Sequence, residues 1–84
     1  MIEFEYENAI YSVNPSKVTL VRKYDSSSYG NKTYVTSVSI MNQSDISFTF
    51  KQEKKRNELY NLICNAVDKL NGEVKQNNNT ANCG

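Results

Sequence analysis

Three consecutive cations, Lys54, Lys55 and Arg56, stand where the strand-like segment "ISFTF" gives way to a helical pattern. The first turn of a helix has unpaired N–H groups and the positive end of the helix dipole, so each cation there costs about 0.3–1 kcal/mol when unscreened. Extending the apolar stripe of the helix backward reaches Lys55 and Arg56. We therefore expect a cationic knob beyond the edge of a sheet, offered either to a partner or simply to solvent.

A second group of cations is interleaved with tyrosines around the turn-rich segment "DSSSYGN". Bases stack on rings while phosphates meet cations, as single-stranded nucleic acid requires, and tyrosine and arginine are also enriched at protein–protein hot spots. Tyr24 and Tyr34 equally suit cross-strand packing, which fits Tyr29 less well because a ring at a loop tip has little to pack on. The predicted partner-binding residues are Arg22, Lys23, Tyr24, Tyr29, Lys32, Tyr34, Lys51, Lys54, Lys55 and Arg56.

Charge is distributed unevenly along the chain, although the net charge is only +1 and the pI about 7.7. Residues 17–56 hold eight cations and three acids, whereas residues 1–16 hold three glutamates and no cation. Such a bipolar surface suits a partner with an acidic surface or head-to-tail pairing of copies. Dedicated nucleic-acid-binding domains more often have a pI above about 9, which favours a protein partner.

Residues for catalysis are scarce. The chain has no histidine, which excludes Ser-His-Asp and Cys-His arrangements and most zinc sites. Only three glycines are present, and they form no phosphate-binding loop. Glu3, Glu5 and Glu7 line one strand face without a convergent partner, so they are expected to solvate it. The sequence predicts no enzyme activity, no metal and no cofactor.

The elements that must position these residues follow from periodicity. "IEFEYE" alternates strictly, as a half-buried strand does. "AIYSV" either continues it past a bulge or follows a tight turn at Glu7-Asn8, and Asn14-Pro15-Ser16 then breaks the chain. "KVTLVRKY", "TYVTSVSIM" and "ISFTF" are further strands. In the first of them, Val18, Leu20 and Tyr24 are assigned to one face and Thr19, Val21 and Lys23 to the other.

A period of 3.6 begins near Gln52 and ends at the capping pair Asn71-Gly72. One apolar helix stripe must cover one apolar sheet face. We therefore predict an α+β fold: an antiparallel β-meander of four or five strands, with one C-terminal helix on one sheet face. Residues 1–72 would form one domain and residues 73–84 a flexible polar tail. The predicted helix stripe is Leu59, Leu62, Ile63, Ala66, Val67 and Leu70.

Length and hydropathy set the expected location. The 84 residues allow a single domain. No apolar run approaches the roughly 20 residues that cross a bilayer, and the acidic start "MIEFEYE" does not resemble a signal peptide. We expect a cytoplasmic protein that does not contact membranes, and open sheet edges make a homodimer a further expectation.

In topology, residues 1–71 resemble the strands-then-helix unit of the PC4/Whirly-type single-stranded DNA-binding fold. That resemblance implies a curved sheet that grips the strand and a helix that dimerises. In size, asparagine-rich composition and lack of histidine, the chain also resembles small accessory proteins of phages and mobile elements, many of which inhibit host defence proteins, as anti-CRISPR proteins do. This second resemblance implies a stoichiometric inhibitor. Single-stranded nucleic-acid binding and a phage structural or assembly role are the alternatives.

Overall fold

Six strands and one long helix make up the fold, and the computed structural model describes residues 1–74 and 82–83. A single 3₁₀ turn at Pro15–Lys17 separates the second strand from the third. The elements are β1 (Ile2–Tyr6), β2 (Ala9–Val13), β3 (Val18–Ser28), β4 (Asn31–Ile40), β5 (Ile46–Phe50), α1 (Glu53–Val74) and β6 (Asn82–Cys83).

The predicted α+β class is confirmed, with antiparallel strands and a C-terminal helix packed on the sheet. The strands divide between two sheets, a β1–β2 hairpin and a sheet of order β5-β4-β3-β6 in which only the β3–β6 pair is parallel. The break falls at Asn14, whose side chain accepts hydrogen bonds from the backbone and hydroxyl of Ser16. Because Pro15 opens the 3₁₀ turn, the chain leaves the first hairpin before β3 begins.

The first hairpin closes at Glu7-Asn8, so the tight turn is the correct alternative to a bulge. Both residues have positive φ, 50° and 65°. That geometry matches the type I′ turn, whose twist agrees with that of the flanking strands.

Aromatic side chains attach this hairpin to the main sheet. The rings of Phe4, Tyr6 and Tyr11 all meet Phe48 edge-on, with centroids 5.0–5.2 Å apart. Edge-to-face packing at this distance is favourable for aromatic pairs. The hairpin therefore lies beside α1 on the same side of the sheet, and both cover its apolar face.

The hydroxyl of Tyr6 closes the outer edge of β5. It donates to the carbonyl oxygen of Thr49 at 3.2 Å and accepts from the Thr49 N–H at 2.9 Å. Unpaired backbone groups at a sheet edge need such partners or water. One side chain thus satisfies both main-chain groups of an edge residue.

The buried stripe of α1 is rotated from the predicted one. Leu59, Ile63 and Val67 are buried as expected, but Leu62 is 43% exposed. Tyr60 and Cys64 are buried in its place. These residues, with the buried Arg56, follow the spacing of three and four that defines one helix face.

A register shift between Val18 and Leu20 corrects the predicted faces of β3. Val18 and Val21 are fully buried beneath the helix, and Leu20 is displaced to the opposite face. A bulge adds one residue to one strand, which reverses the inward and outward positions beyond it. Lys23 consequently lies on the helix side rather than on the open face.

The helix continues through Asn71-Gly72 to Val74, so the predicted cap at that pair is wrong. Of the predicted flexible tail, residues 75–81 and 84 lie outside the described residues. Residues 82–83 form β6, in parallel register with Leu20 and Val21.

Candidate functional site

The β3–β4 hairpin extends beyond the rest of the sheet. β5 pairs with β4 from Tyr34 to Val38, whereas β3 and β4 pair with each other out to Ser28 and Asn31. We call residues 25–34 the ribbon. At about 3.3 Å per residue, it extends about 15 Å past the last residue pair that β5 shares.

Tyr29 and Gly30 form the two-residue turn at the tip of the ribbon, with φ of 52° and 79°. Positive φ at both positions again indicates a type I′ turn, which favours asparagine or glycine at the first position. The Tyr29 side chain is fully exposed. The predicted loop "DSSSYGN" is therefore a pair of strands with a tight turn, and its ring projects into solvent.

Arg56 clamps the base of the ribbon and is not part of a surface knob. Its side chain is only 5% exposed. Nη1 donates to the Tyr24 carbonyl oxygen at 3.0 Å and to Asp25 Oδ1 at 3.2 Å. A buried guanidinium needs such partners, because an unpaired buried charge is strongly destabilising.

Further contacts complete this clamp. Arg56 Nη2 donates to Glu53 Oε2 at 3.3 Å, and the guanidinium lies over the ring of Tyr34 at 5.4 Å. The Arg56 carbonyl oxygen accepts from the hydroxyl of Thr36, a buried residue of β4. The three-cation run of the sequence thus contains one cation that joins the helix to the sheet.

Asp25 is the acidic centre of the base. Lys32 Nζ lies 3.3 Å from its second oxygen, on the opposite strand of the ribbon. Partial desolvation raises the pKa of Asp25, but hydrogen bonds from Lys32 and Arg56 and the charges of both outweigh it, so the pKa lies below its ordinary value. The same hydrogen bond and charge raise the pKa of Lys32.

The predicted partner-binding residues in and next to the ribbon divide between the two faces of the sheet. Lys23 lies over the ring of Tyr60 at 4.6 Å and Lys32 over Tyr34 at 5.5 Å, both on the helix side. Arg22 and Tyr24 lie on the other face, where the guanidinium stands 5.7 Å from the ring. The sheet therefore separates the rings that sequence analysis grouped together.

The remaining predicted cations lie in two places. Lys51 borders a groove beside the tip, together with Lys32 and the neighbouring ribbon residues. Lys54 and Lys55 are exposed at the start of α1, and Lys55 faces a different groove, lined by Phe4 and Leu62. Lys51 thus adds to the charge of the ribbon, and Lys54 and Lys55 form a separate patch.

Sequence reasoning missed the role of Asp25, which received no assignment. The available signal was partial: Asp25 and Lys32 flank the turn-rich segment and can meet across a hairpin, whereas the contact with Arg56 depends on the fold. Sequence reasoning also missed the turn, because serine, asparagine and aspartate are frequent in loops and the whole segment was therefore interpreted as a loop. Gly30, at the second turn position, was the available indication of a two-residue hairpin.

Comparison with known protein families, curated proteins and solved structures found no match to this chain. The two resemblances noted from the sequence therefore stay predictions. Within the described residues, no helix is long and apolar enough to cross a membrane. The same residues contain no group of three metal-ligating side chains.

Proposed function

We propose that this chain is a small, non-enzymatic accessory protein that binds a larger protein partner through the tip of its ribbon. It would act in the cytoplasm by occupying a surface of that partner, in the manner of the stoichiometric inhibitors of phages and mobile elements. The observation that carries the proposal is Tyr29, a fully exposed ring at a backbone position that disfavours it.

The backbone conformation of Tyr29 is unfavourable for tyrosine, and no contact of its ring within the described protein compensates for this. A side chain with a Cβ is disfavoured at positive φ, and asparagine or glycine would suit the turn better. Its ring buries no surface within the described protein. A residue that occupies an unfavourable backbone conformation can indicate a functional site. An exposed tyrosine is also a frequent anchor residue in protein–protein interfaces.

The charges around the tip favour an acidic partner surface. Lys32 and Lys51 are exposed beside the tip, whereas Asp25 is engaged by Arg56 and Lys32. Complementary charge raises the rate of encounter and fixes orientation more than it raises affinity. The ring of Tyr29 would be buried in the partner as the anchor residue, and the cations would increase the rate of encounter with the partner.

Single-stranded nucleic acid is the weaker candidate. Base stacking uses successive rings along one surface. Here Tyr24 and Tyr34 lie on opposite faces, and Tyr34 is covered by the guanidinium of Arg56. Tyr29 alone offers a free ring at the tip, which is too little for a stacking platform.

The test replaces Tyr29 with a photoreactive phenylalanine analogue and irradiates the protein in extract of the cells from which the sequence comes. We expect one protein to cross-link, and to bind the purified wild type at a fixed stoichiometry. The matched control carries the analogue at Ile10, a residue 68% exposed on the other hairpin, and should not trap that protein.

Tyr29→Asn should abolish that binding while leaving the fold intact, because asparagine suits the turn. An unchanged affinity for Tyr29→Asn would refute the role of the tip.

A fluorescent oligothymidylate, titrated with the protein at low and moderate salt, tests the alternative that the protein binds single-stranded nucleic acid. Tight binding whose log K falls by about 0.7 per phosphate contact per tenfold rise in salt would replace the protein-binding proposal.

A further inference from the structure

Within the described residues, the outer edge of β3 is unpaired along part of its length. β4 pairs with one side of β3, and on the other side β6 covers only Leu20 and Val21. From Arg22 to Ser28, no other strand of the described chain lies beside it. Such an edge presents unpaired N–H and C=O groups that another strand can pair with.

Hydrogen bonding at the opposite edge of the sheet shows which groups of β3 point outward. Thr49 directs both main-chain groups away from β4, to the Tyr6 hydroxyl. Val35, which faces Thr49, must then direct its own groups toward Tyr24 on β3, because the groups of an antiparallel strand alternate between sides. The β3 residues with outward N–H and C=O groups are therefore Lys23, Asp25 and Ser27.

We propose that this edge pairs with the same edge of a second copy, antiparallel and centred on Tyr24. In this register Ser27 and Ser28 of the second copy lie beside Val21 and Leu20, so they displace the two-residue strand β6 from that position. In that register Lys23 faces Asp25 of the second copy. The two-fold axis also places Asp25 of the first copy opposite Lys23 of the second. Both residues have outward groups, so each pair exchanges two backbone hydrogen bonds. This proposal goes beyond the proposed function and needs no other partner.

Charge selects this register over its neighbours. Centring the pair on Asp25 would place two carboxylates opposite each other, and directly opposed like charges are destabilising. Centring it on Ser26 would place Asp25 opposite Ser27 and leave Lys23 without an acid. Only the Tyr24-centred register gives two opposite-charge pairs across the axis.

Side chains on both faces are compatible with this pairing. Asp25 already accepts from Lys32 and Arg56, but a carboxylate has about four acceptor sites and can meet a further lysine. On the other face, the two Tyr24 rings meet as a non-hydrogen-bonded pair, in which side chains approach closely. Arg22 lies against each ring.

A dimer built in this way would present two binding tips. The turn lies five residues from the axis, and strands rise about 3.3 Å per residue, so the two Tyr29 backbones would be about 33 Å apart. The strands are antiparallel, so the tips point in opposite directions. The dimer would therefore join two partner molecules or two distant sites, rather than grip one site twice.

Disulfide trapping tests the register. In a Cys83→Ser background, Tyr24→Cys should form an intermolecular disulfide under mild oxidation. Its Cα atoms would be about 4.5 Å apart, within the range that a disulfide spans. Ser26→Cys is the matched control and should not cross-link, because it faces Arg22 of the second copy. Cross-linking through Ser26→Cys instead, or through neither, overturns the proposal.

Light scattering and sedimentation of the unmodified chain test the dimer itself. We expect a concentration-dependent dimer, weakened roughly tenfold or more by Lys23→Glu, because two opposite-charge pairs become two like-charge pairs. Arg22→Glu makes the same charge change opposite a serine and should weaken the dimer much less. Equal effects of the two variants, or a monomer up to millimolar concentration, refute the proposal. The latter outcome leaves the Tyr29 proposal standing.

Discussion

Both hairpins of the protein reverse direction through two residues of positive φ, Glu7-Asn8 in the first and Tyr29-Gly30 in the second. In the first hairpin, the rings of Phe4 and Tyr11 turn inward onto Phe48. In the second, the strands continue past the sheet, and nothing in the described chain lies beneath the tip. The two hairpins thus have the same type of turn, but the first hairpin packs on the core and the tip of the second projects into solvent.

The comparison shows that residue type alone does not assign a role. Tyr6 and Tyr29 stand at similar places near a turn, yet the first bonds to the edge of β5 and the second bonds to nothing described. Arg56 and Lys55 are neighbours, yet one is a buried clamp and the other is exposed. The two members of each pair differ in the part of the protein that the fold places next to them, and this decides their role.

Arg56→Ala should have the largest effect on the second hairpin. It removes a buried guanidinium with partners on both β3 and α1, and we expect a loss of about 2–3 kcal/mol in the free energy of unfolding. Urea unfolding measures it. Lys54→Ala, an exposed cation in the same helical turn, should change stability by less than about 0.5 kcal/mol. Equal values for the two variants would mean that the clamp carries no stability.

Tyr6→Phe is the corresponding change in the first hairpin. The ring stays in its cluster, but both main-chain groups of Thr49 lose their partner, so we expect a loss of about 1 kcal/mol. Tyr11→Phe is the control, because that hydroxyl has no hydrogen bond among the described residues, and its stability should be close to wild type. Thermal unfolding followed by circular dichroism compares the two. A larger loss for Tyr11→Phe would contradict the edge-closing role of Tyr6.

Tyr29→Asn should stabilise the protein by about 0.5 kcal/mol, since asparagine tolerates positive φ better than tyrosine. Glu7→Asn makes the same change in the first hairpin and should give a similar gain. Denaturant midpoints measure both. Because only the first of these variants should lose partner binding, the pair separates turn geometry from function. Destabilisation by Tyr29→Asn would show that the ring packs on the protein after all.

The smallest effect concerns pH. Asp25 has a lowered pKa in the folded state, so the unfolded state binds its proton more readily and stability rises with pH in that range. The contribution is complete above the unfolded value of about 3.8 and is lost as the pH falls through the lower folded value. Asp25→Asn should therefore be less stable than wild type at neutral pH, and the difference should shrink on acidification. A difference that is constant with pH would exclude the charge as its cause.

Much of the fold could be predicted from alternation and helical spacing. The strand Ile2–Tyr6, the break at Pro15 and the switch to a helix after Phe50 all follow from local patterns. The faces of β3 could not be predicted, because the register shift near Thr19 depends on pairing with β4. The serines of the ribbon carry no apolar alternation, so nothing local marked them as strand.

The candidate site was predictable in part. Tyr29 was expected at a tip with little to pack on, and it is fully exposed there. The burial of Arg56 could not be predicted from the local sequence pattern, because its partners on β3 are more than thirty positions away in the chain. Long-range partners of this kind decide whether a cation is structural or available.

The hydroxyl of Tyr6 has a consequence for how copies of this protein assemble. At one margin of the sheet a phenol occupies both outward main-chain groups of Thr49, whereas at the other margin no strand of the described chain lies beside Arg22 to Ser28, so strand addition is favoured at β3. Two molecules that join through β3 leave their β5 strands outside, each with Thr49 already bonded, which favours closure at a pair. An exposed strand in this protein would therefore lead to a finite particle and not to a fibre.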